Sequence, residues 1–284
     1  MIDSETLDRI VRTALEEDLG SGDLTSELTL EPQSESEGII LARGGGVMAG
    51  MPAAEQVFLH VEPRVVLTPM VAEGESFRRG EVLAHIAGPT RGILAGERVS
   101  LNMLQRLSGI ATQTRRYVEA VKGTGVTILD TRKTTPGLRE LEKYAVRTGG
   151  GANHRMGLYD GILIKENHAH AAGGVAEALE RIQKGLAGAG SRFLVVVEVS
   201  TMEQAREGLA GGADRLLLDN MKPQEMAELV SMVRSSERED VQLEASGSIT
   251  LKNVREVAET GVDYISIGAL THSVKAVDIS LLLR

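Results

Sequence analysis

In the second half of the chain, apolar runs of strand length recur at 126–129, 161–164, 193–197, 216–218, 241–243 and 264–267, with helix-length segments between them. Alternating strand and helix predicts a parallel sheet covered by helices. The helices carry start and stop signals: Ser200 with Glu203 reads as a capping box, Pro223 suits a first turn, and Gly261 closes the 254–260 segment. The first half has another rhythm. Ser4 precedes a helical pattern with Leu7, Ile10, Val11, Ala14 and Leu15 on one face, ended by Gly20-Ser21-Gly22-Asp23. Residues 36–90 read as short strands, at 38–42 and 65–67, around a brief helix near 52–61. Residues 95–122 read as helix, with a break or bend expected near Ser108-Gly109. That point is the expected domain boundary, giving 1–109 and 110–284, with the tail 273–284 expected to pack back on the first domain.

The residues that end each later run decide between architectures. The runs end in Asp130-Thr131-Arg132-Lys133, Lys165-Glu166-Asn167-His168, Glu198, Asp219-Asn220, Ser246-Gly247-Ser248 and Gly268-Ala269. A β/α barrel gathers such ends on one rim, and an open doubly wound sheet also places its site at strand C-termini. The barrel is favoured because nearly every strand ends in polar groups and no GxGxxG follows an early strand. Six strands are fewer than eight, so the expected barrel is incomplete.

Composition narrows the picture. Aromatic residues make up 2% of the 284 and Trp is absent, so the core must be built from Val, Ile, Leu, Ala and Met. With no Cys there is no disulfide framework or thiolate metal site, which fits a reducing compartment. The N-terminus lacks the basic and apolar regions of a signal peptide, and no run approaches the roughly 18 apolar residues of a membrane span. A soluble cytoplasmic protein is expected, with no membrane partner. A net charge of −9 argues against general nucleic-acid binding, so any anion site must rest on local positive charge.

The strand ends supply that charge. Arg132 and Lys133 end the first run, His154 and Arg155 lie in TGGGANHRMGLYDG just before the second, and Lys165 ends the second. Any one of them could form a salt bridge to a neighbouring loop. Converging, they would repel one another in a partly desolvated cleft, and a polyanionic ligand resolves that repulsion. Glu198 and Asp219 could each be a helix cap or ion-pair partner, Asp219 for the helix beginning near Pro223. As a pair facing cations they suit Mg²⁺, usually held by one or two carboxylates plus substrate oxygens, or sugar hydroxyls. Ser246-Gly247-Ser248 and Gly268-Ala269-Leu270 are small enough to let backbone N–H groups approach a phosphate. His168-Ala169-His170 resembles a metal-hydrolase HxH but would need further His ligands. Residues 73–84 look like a carrier-domain hairpin without its lysine, so a structural hairpin is expected there.

Taken together, GERVSLNMLQRLSGIAT, LDTRKTTPGLRELEKYAVRTGGGANHRMGLYD, ILIKENH, VVVEV, LLLDN, EASGSI and SIGALTHS resemble the quinolinate phosphoribosyltransferases, and the likeness extends from LEEDLGSGDLTS at 15–26 to the C-terminus. The resemblance implies an α/β fold with an N-terminal α/β sandwich domain followed by an incomplete β/α barrel, working as a homodimer. It implies that quinolinate and 5-phosphoribosyl-1-pyrophosphate are converted with Mg²⁺ to nicotinate mononucleotide, pyrophosphate and CO₂ in NAD biosynthesis. On this chain it assigns quinolinate to Arg132, Arg155 and Lys165, with His154 beside them and Thr131 in the same motif. Lys133 is placed at the donor, and Arg98 is lent to the neighbouring subunit's site. Glu198 and Asp219 lie near the ribose hydroxyls and metal, while Ser246, Gly247, Ser248, Gly268, Ala269 and Leu270 cradle the 5′-phosphate. Lys133, Lys165, Glu198 and Asp219 are the expected catalytic set. Ser248 departs from the Gly of many relatives. The alternatives are a non-carboxylating or molybdenum-associated relative, or, from another class, a Schiff-base aldolase using Lys165.

Overall fold

The computed structural model describes residues 2–187 and 193–284. The first half runs through α1 (Ser4–Leu19), α2 (Leu24–Thr29), β1 (Glu35–Ala42), β2 (Gly46–Val47), α3 (Met51–Val61), β3 (Val66–Pro69), β4 (Ser76–Phe77), β5 (Val82–Pro89) and α4 (Thr90–Ala120). The second half continues with β6 (Thr127–Leu129), α5 (Arg139–Thr148), β7 (Ile162–Ile164), α6 (Glu166–Ala172), α7 (Val175–Leu186), β8 (Val195–Val199), α8 (Met202–Ala210) and β9 (Arg215–Asp219). It closes with α9 (Pro223–Arg234), β10 (Gln242–Ser246), α10 (Val254–Ala258), β11 (Tyr264–Ser266), α11 (Ala269–His272) and β12 (Ile279–Leu283). Two structural units share these elements. One holds the chain up to Arg115, Lys133–Gly151 and Ala269–Arg284; the other holds Arg116–Arg132 and Ala152–Gly268.

The first unit is built on a four-stranded antiparallel sheet in the order β12-β1-β5-β3. Ile40, Leu83, Ile86, Ile279 and Leu281 of the sheet form one buried cluster with Ala54 and Phe58 of α3 and Ile93, Leu101 and Leu104 of α4. Burying such aliphatic side chains contributes about 1.5–3 kcal/mol each, which offsets the scarcity of aromatics. The segment 73–84 is not a hairpin. β4 pairs with β2, whereas β5 pairs with β1 and β3, because Gly80 N–H donates to Ala42 O and Ala42 N–H to Glu81 O, tying the turn to the end of β1.

α4 is continuous helix through Ser108 and Gly109, contrary to the break the sequence suggested. Both residues serve packing instead. The buried Ser108 hydroxyl donates to Ala49 O and accepts from Ala49 N–H, each at 3.1 Å. At Gly109 a Cβ would lie 2.5 Å from Lys275 O, so only glycine admits that backbone.

The second unit is a six-stranded parallel sheet in the order β6-β11-β10-β9-β8-β7. Its first strand pairs with its last, which is how a barrel closes, and β6 and β7 share no ladder among the described residues. Beside β6 stands a single parallel bridge, Leu129 to Ala152. The helix start signals hold with two corrections, while α10 ends at Ala258 with Glu259 as its cap, before the expected Gly261 stop. Pro223 opens α9, but the cap before it is Lys222 rather than Asp219, and α8 is capped by Thr201, whose hydroxyl accepts from Gln204 N–H. Ser200 bonds the Gln204 side chain instead, because the chain is one residue further along when it turns into helix.

Gly109→Ala is expected to destabilise the protein by about 1–3 kcal/mol through overpacking, exceeding the ~1 kcal/mol that alanine's helix propensity returns. Urea denaturation measures it; an unchanged or raised midpoint would show that the 274–276 segment yields.

Candidate active site

Paired residues in a parallel ladder point to the same side of the sheet, so the register of the second unit sorts its side chains. One row across a single face reads Glu198, Leu217, Glu244, Tyr264 and Thr127. The row nearer the strand C-termini reads Asp219, Ser246, Ser266 and Leu129. Of the polar groups predicted from strand ends, Glu198, Asp219 and Ser246 therefore share one face of one sheet.

Beneath the rim lies a buried ionic network. Arg215 donates to Glu244 Oε2 at 2.9 Å and through two nitrogens to Gln242 Oε1 at 3.1 and 2.7 Å, while its guanidinium sits 3.9 Å from the Tyr264 ring centroid. A planar fork that stacks as well as bonds suits arginine and not lysine. Glu244 is fully buried, and its other oxygen lies 3.6 Å from His154 Nε2.

The cationic loop is organised by Asp130, fully buried at the end of β6. It accepts from Asn153 Nδ2 at 2.5 Å and from His154 N–H at 2.8 Å. His154 Nδ1 in turn accepts from Arg155 N–H at 2.8 Å, so the ring carries its hydrogen on Nε2, toward Glu244. Arg155 donates to Gly161 O at 2.8 Å. Its pKa is lowered, first by burial and then by the positive charge of Arg132, with Asp160 opposing. Arg132 and Arg155 thus lie close enough to repel, an arrangement that favours a bound anion.

Lys165 is a different case. The sequence grouped it with the cations of an anion site, but its Nζ lies 2.7 Å from Glu198 Oε2, and Glu198 Oε1 also accepts from Glu166 N–H at 3.4 Å. The register causes this, since the residue after Ile164 falls opposite Glu198. Asp219 accepts from Asn220 Nδ2 at 3.0 Å. Glu198 and Asp219 both line a cavity of about 950 Å³ with Asn167, His170 and Gln204, within the usual range of small-molecule sites. His168 and His170 belong to no cluster of three or more metal-binding side chains among the described residues. Two carboxylates lining one cavity do fit Mg²⁺, whose remaining ligands are ordinarily waters and substrate oxygens. Ser246, Gly247 and Ser248 turn the chain at the end of β10, and Gly268 lies just past β11 at the same rim. Thr131 is half-buried beside Arg132.

Other candidates belong to the first unit. Lys133 is exposed, and its carbonyl accepts from the Thr271 hydroxyl at 2.8 Å. The loop after it is anchored by buried Glu142, which accepts from Thr135 N–H at 3.1 Å, from Thr135 Oγ1 at 2.8 Å and from Arg106 at 2.7 Å. Ala269 is half-buried and Leu270 fully buried at the start of α11, so any ligand contact by Leu270 must use its backbone. Arg98 is exposed on α4.

Family models match nearly the whole chain: the N-terminal domain of quinolinate phosphoribosyl transferase over residues 23–108, and its C-terminal domain over 110–282. This chain belongs to the quinolinate phosphoribosyl transferase family. It is 45% identical to a probable carboxylating nicotinate-nucleotide pyrophosphorylase of Bacillus subtilis (strain 168), over 93% of this chain and 89% of that protein. It is 42% identical to a decarboxylating quinolinate phosphoribosyltransferase of Nicotiana tabacum, over 97% of this chain and 81% of that one. Its fold matches the solved nicotinate-nucleotide pyrophosphorylase of Francisella tularensis with a TM-score of 0.93 at 36% identity, covering 100% of this chain and 98% of the other. No helix among the described residues is long and apolar enough to cross a membrane.

The family's motifs drew attention to Arg132 and His154 but not to Asp130, Asn220 or Glu244, which hold the neighbouring groups in place. A charged residue between an apolar run and a cation was the available signal for Asp130. Asp130→Ala is expected to cost about 1–3 kcal/mol of stability, since it strips two hydrogen bonds from a buried carboxylate's donors. Chemical denaturation reads the loss; a midpoint equal to wild type would mean water replaces the carboxylate.

Proposed function

We propose that this protein is a quinolinate phosphoribosyltransferase, forming nicotinate mononucleotide, pyrophosphate and CO₂ from quinolinate and 5-phosphoribosyl-1-pyrophosphate in NAD biosynthesis. The observation that carries the reading is the Arg132–Arg155 pair, in which burial and then the positive charge of Arg132 disfavour the charge of Arg155, whose guanidinium is held at Gly161 O. Quinolinate brings two adjacent carboxylates, and arginine forks hold carboxylates bidentately. Its arrival turns a repulsion into two charge-assisted contacts. Lys165 joins them by exchange. Its side chain is half exposed, so the pair with Glu198 is worth at most about 1 kcal/mol. A substrate carboxylate can take the ammonium and leave Glu198 to accept from ribose hydroxyls.

On the donor side, Lys133 neutralises pyrophosphate, Glu198 and Asp219 orient the ribose, and the backbone N–H groups of Ser246–Ser248 and Gly268–Leu270 receive the 5′-phosphate. Mg²⁺ bound with Glu198 and Asp219 would offset the charge of the phosphate oxygens. The pyridine nitrogen displaces pyrophosphate at ribose C1, and the basic groups stabilise the departing oxygens. N-ribosylation makes the ring nitrogen cationic, which stabilises the electron pair left on the adjacent carbon by departing CO₂, and a proton taken up from solvent at that carbon completes nicotinate mononucleotide. We also propose a homodimer in which Arg98, on an exposed face of α4, completes the neighbouring site, and a cytoplasmic location.

Incubation with quinolinate, 5-phosphoribosyl-1-pyrophosphate and Mg²⁺ should release CO₂ and nicotinate mononucleotide, with nicotinate a poor substitute; turnover of nicotinate without CO₂ would overturn the reading. Arg132→Ala and Arg155→Ala should each raise the quinolinate KM by an amount equivalent to about 2–5 kcal/mol, and steady-state kinetics within twofold of wild type would remove those residues from the role. Arg98→Ala mixed with Lys165→Ala should regain activity through hybrid dimers. Flat activity at every mixing ratio would place Arg98 in its own subunit's site or in none.

A further inference from the structure

Among the described residues, two that are not glycine have positive φ, Asn220 at 54° and Ser248 at 52°. They end adjacent strands, β9 and β10, and they bond each other, the Ser248 hydroxyl donating to Asn220 Oδ1 at 3.1 Å. Left-handed backbone is uncommon for an L-residue; asparagine tolerates it best, serine much less. Such conformations persist where the surroundings over-determine them, and they concentrate at ligand sites.

The surroundings here converge on one amide. Asn220 N–H donates to Ser246 O at 2.9 Å, and Asn220 Nδ2 donates to Asp219 Oδ2 at 3.0 Å. The carboxylate accepts only, so it fixes which end of the amide faces it and leaves Oδ1 for the Ser248 hydroxyl. Gly247, between the two strand ends, has φ 92°, and a Cβ there would lie 2.3 Å from Asn220 Oδ1. From the far side, Asn253 Nδ2 donates to Ser248 O at 3.3 Å, while its own Oδ1 takes Thr250 N–H at 2.7 Å.

We propose that Asn220 is a positioning residue for the phosphoribosyl donor: its single amide holds the left-handed Gly247-Ser248 turn with one end and orients the Asp219 carboxylate with the other. This rests on the reading of Ser246–Ser248 as the 5′-phosphate cradle and of Asp219 as a ribose and metal carboxylate. Under it, the distance between the phosphate end and the ribose end of the donor is set by one planar group. Quinolinate, held at Arg132 and Arg155, is outside that linkage.

Steady-state kinetics on the full chain test the split. Asn220→Ala should raise the KM for 5-phosphoribosyl-1-pyrophosphate about tenfold while moving the quinolinate KM less than about twofold. Ser248→Ala should raise the donor KM by a smaller factor. In the double variant Asn220→Ala with Ser248→Gly, glycine adopts the left-handed turn without support, so at least about threefold of the loss should return. Gly247→Ala, which drives a Cβ into the amide, tests the cradle itself. If it raises the donor KM while Asn220→Ala does not, the cradle stands and the positioning role falls. If neither moves it, the cradle reading falls as well. A lowered melting temperature for Asn220→Ala with both KM values rising equally, or a double variant as impaired as Asn220→Ala alone, would reduce Asn220 to a structural residue and overturn the proposal.

Discussion

Asp130 is an ionisable group with no solvent exposure at the end of a three-residue strand, and the cationic loop depends on it. A buried carboxylate is tolerable only if donors surround it, and Asn153 and the His154 backbone provide them. The reverse also holds. Arg132 and Arg155 repel, and a loop carrying one of them would swing outward unless its backbone were tied down. The tie falls at His154, one residue before Arg155. A bound anion would relieve that repulsion.

The pairing of β6 with β11 is the second condition. Sequence-adjacent strands β7 to β11 neighbour one another in order, which an open sheet would also achieve. Only the return of β11 to β6 brings Arg132 and Gly268 to adjacent strand ends. Within the resulting face, alternation by two sets Glu198 level with Leu217 and Glu244, and Asp219 level with Ser246.

Much of this was legible in the sequence where one physical rule acted alone. Strands lay where apolar runs met turn residues, and all six runs of the second half became strands of the parallel sheet, with edges shifted by up to three residues. That Glu198, Asp219 and Ser246 end strands was legible because each follows an apolar run of strand length. Failures came where a residue's partner is distant in sequence. Ser108 and Gly109 look like helix breakers until Ala49 and Lys275 are seen against them. Thr201 outcompetes Ser200 as a cap by one residue of helix phase, which spacing does not resolve.

Arg215, Gln242, Glu244 and Tyr264 raise a question of purpose. A buried arginine–glutamate pair is weak ground for stability, since its desolvation can equal or exceed its Coulombic gain, and apolar residues of similar volume often serve as well. Its position argues for specificity of arrangement. Arg215, Gln242 and Tyr264 open three consecutive strands, and a one-residue slip of β9 against β10 would bury an unpaired ion, whereas a slip between aliphatic residues would cost far less. The network therefore fixes register at the bottom of strands whose tops carry Asp219, Ser246 and Gly268. A slip there would turn each rim group to the opposite face. The ionic layer converts a choice among nearly equivalent apolar packings into a single one, and the alignment of the rim is its consequence.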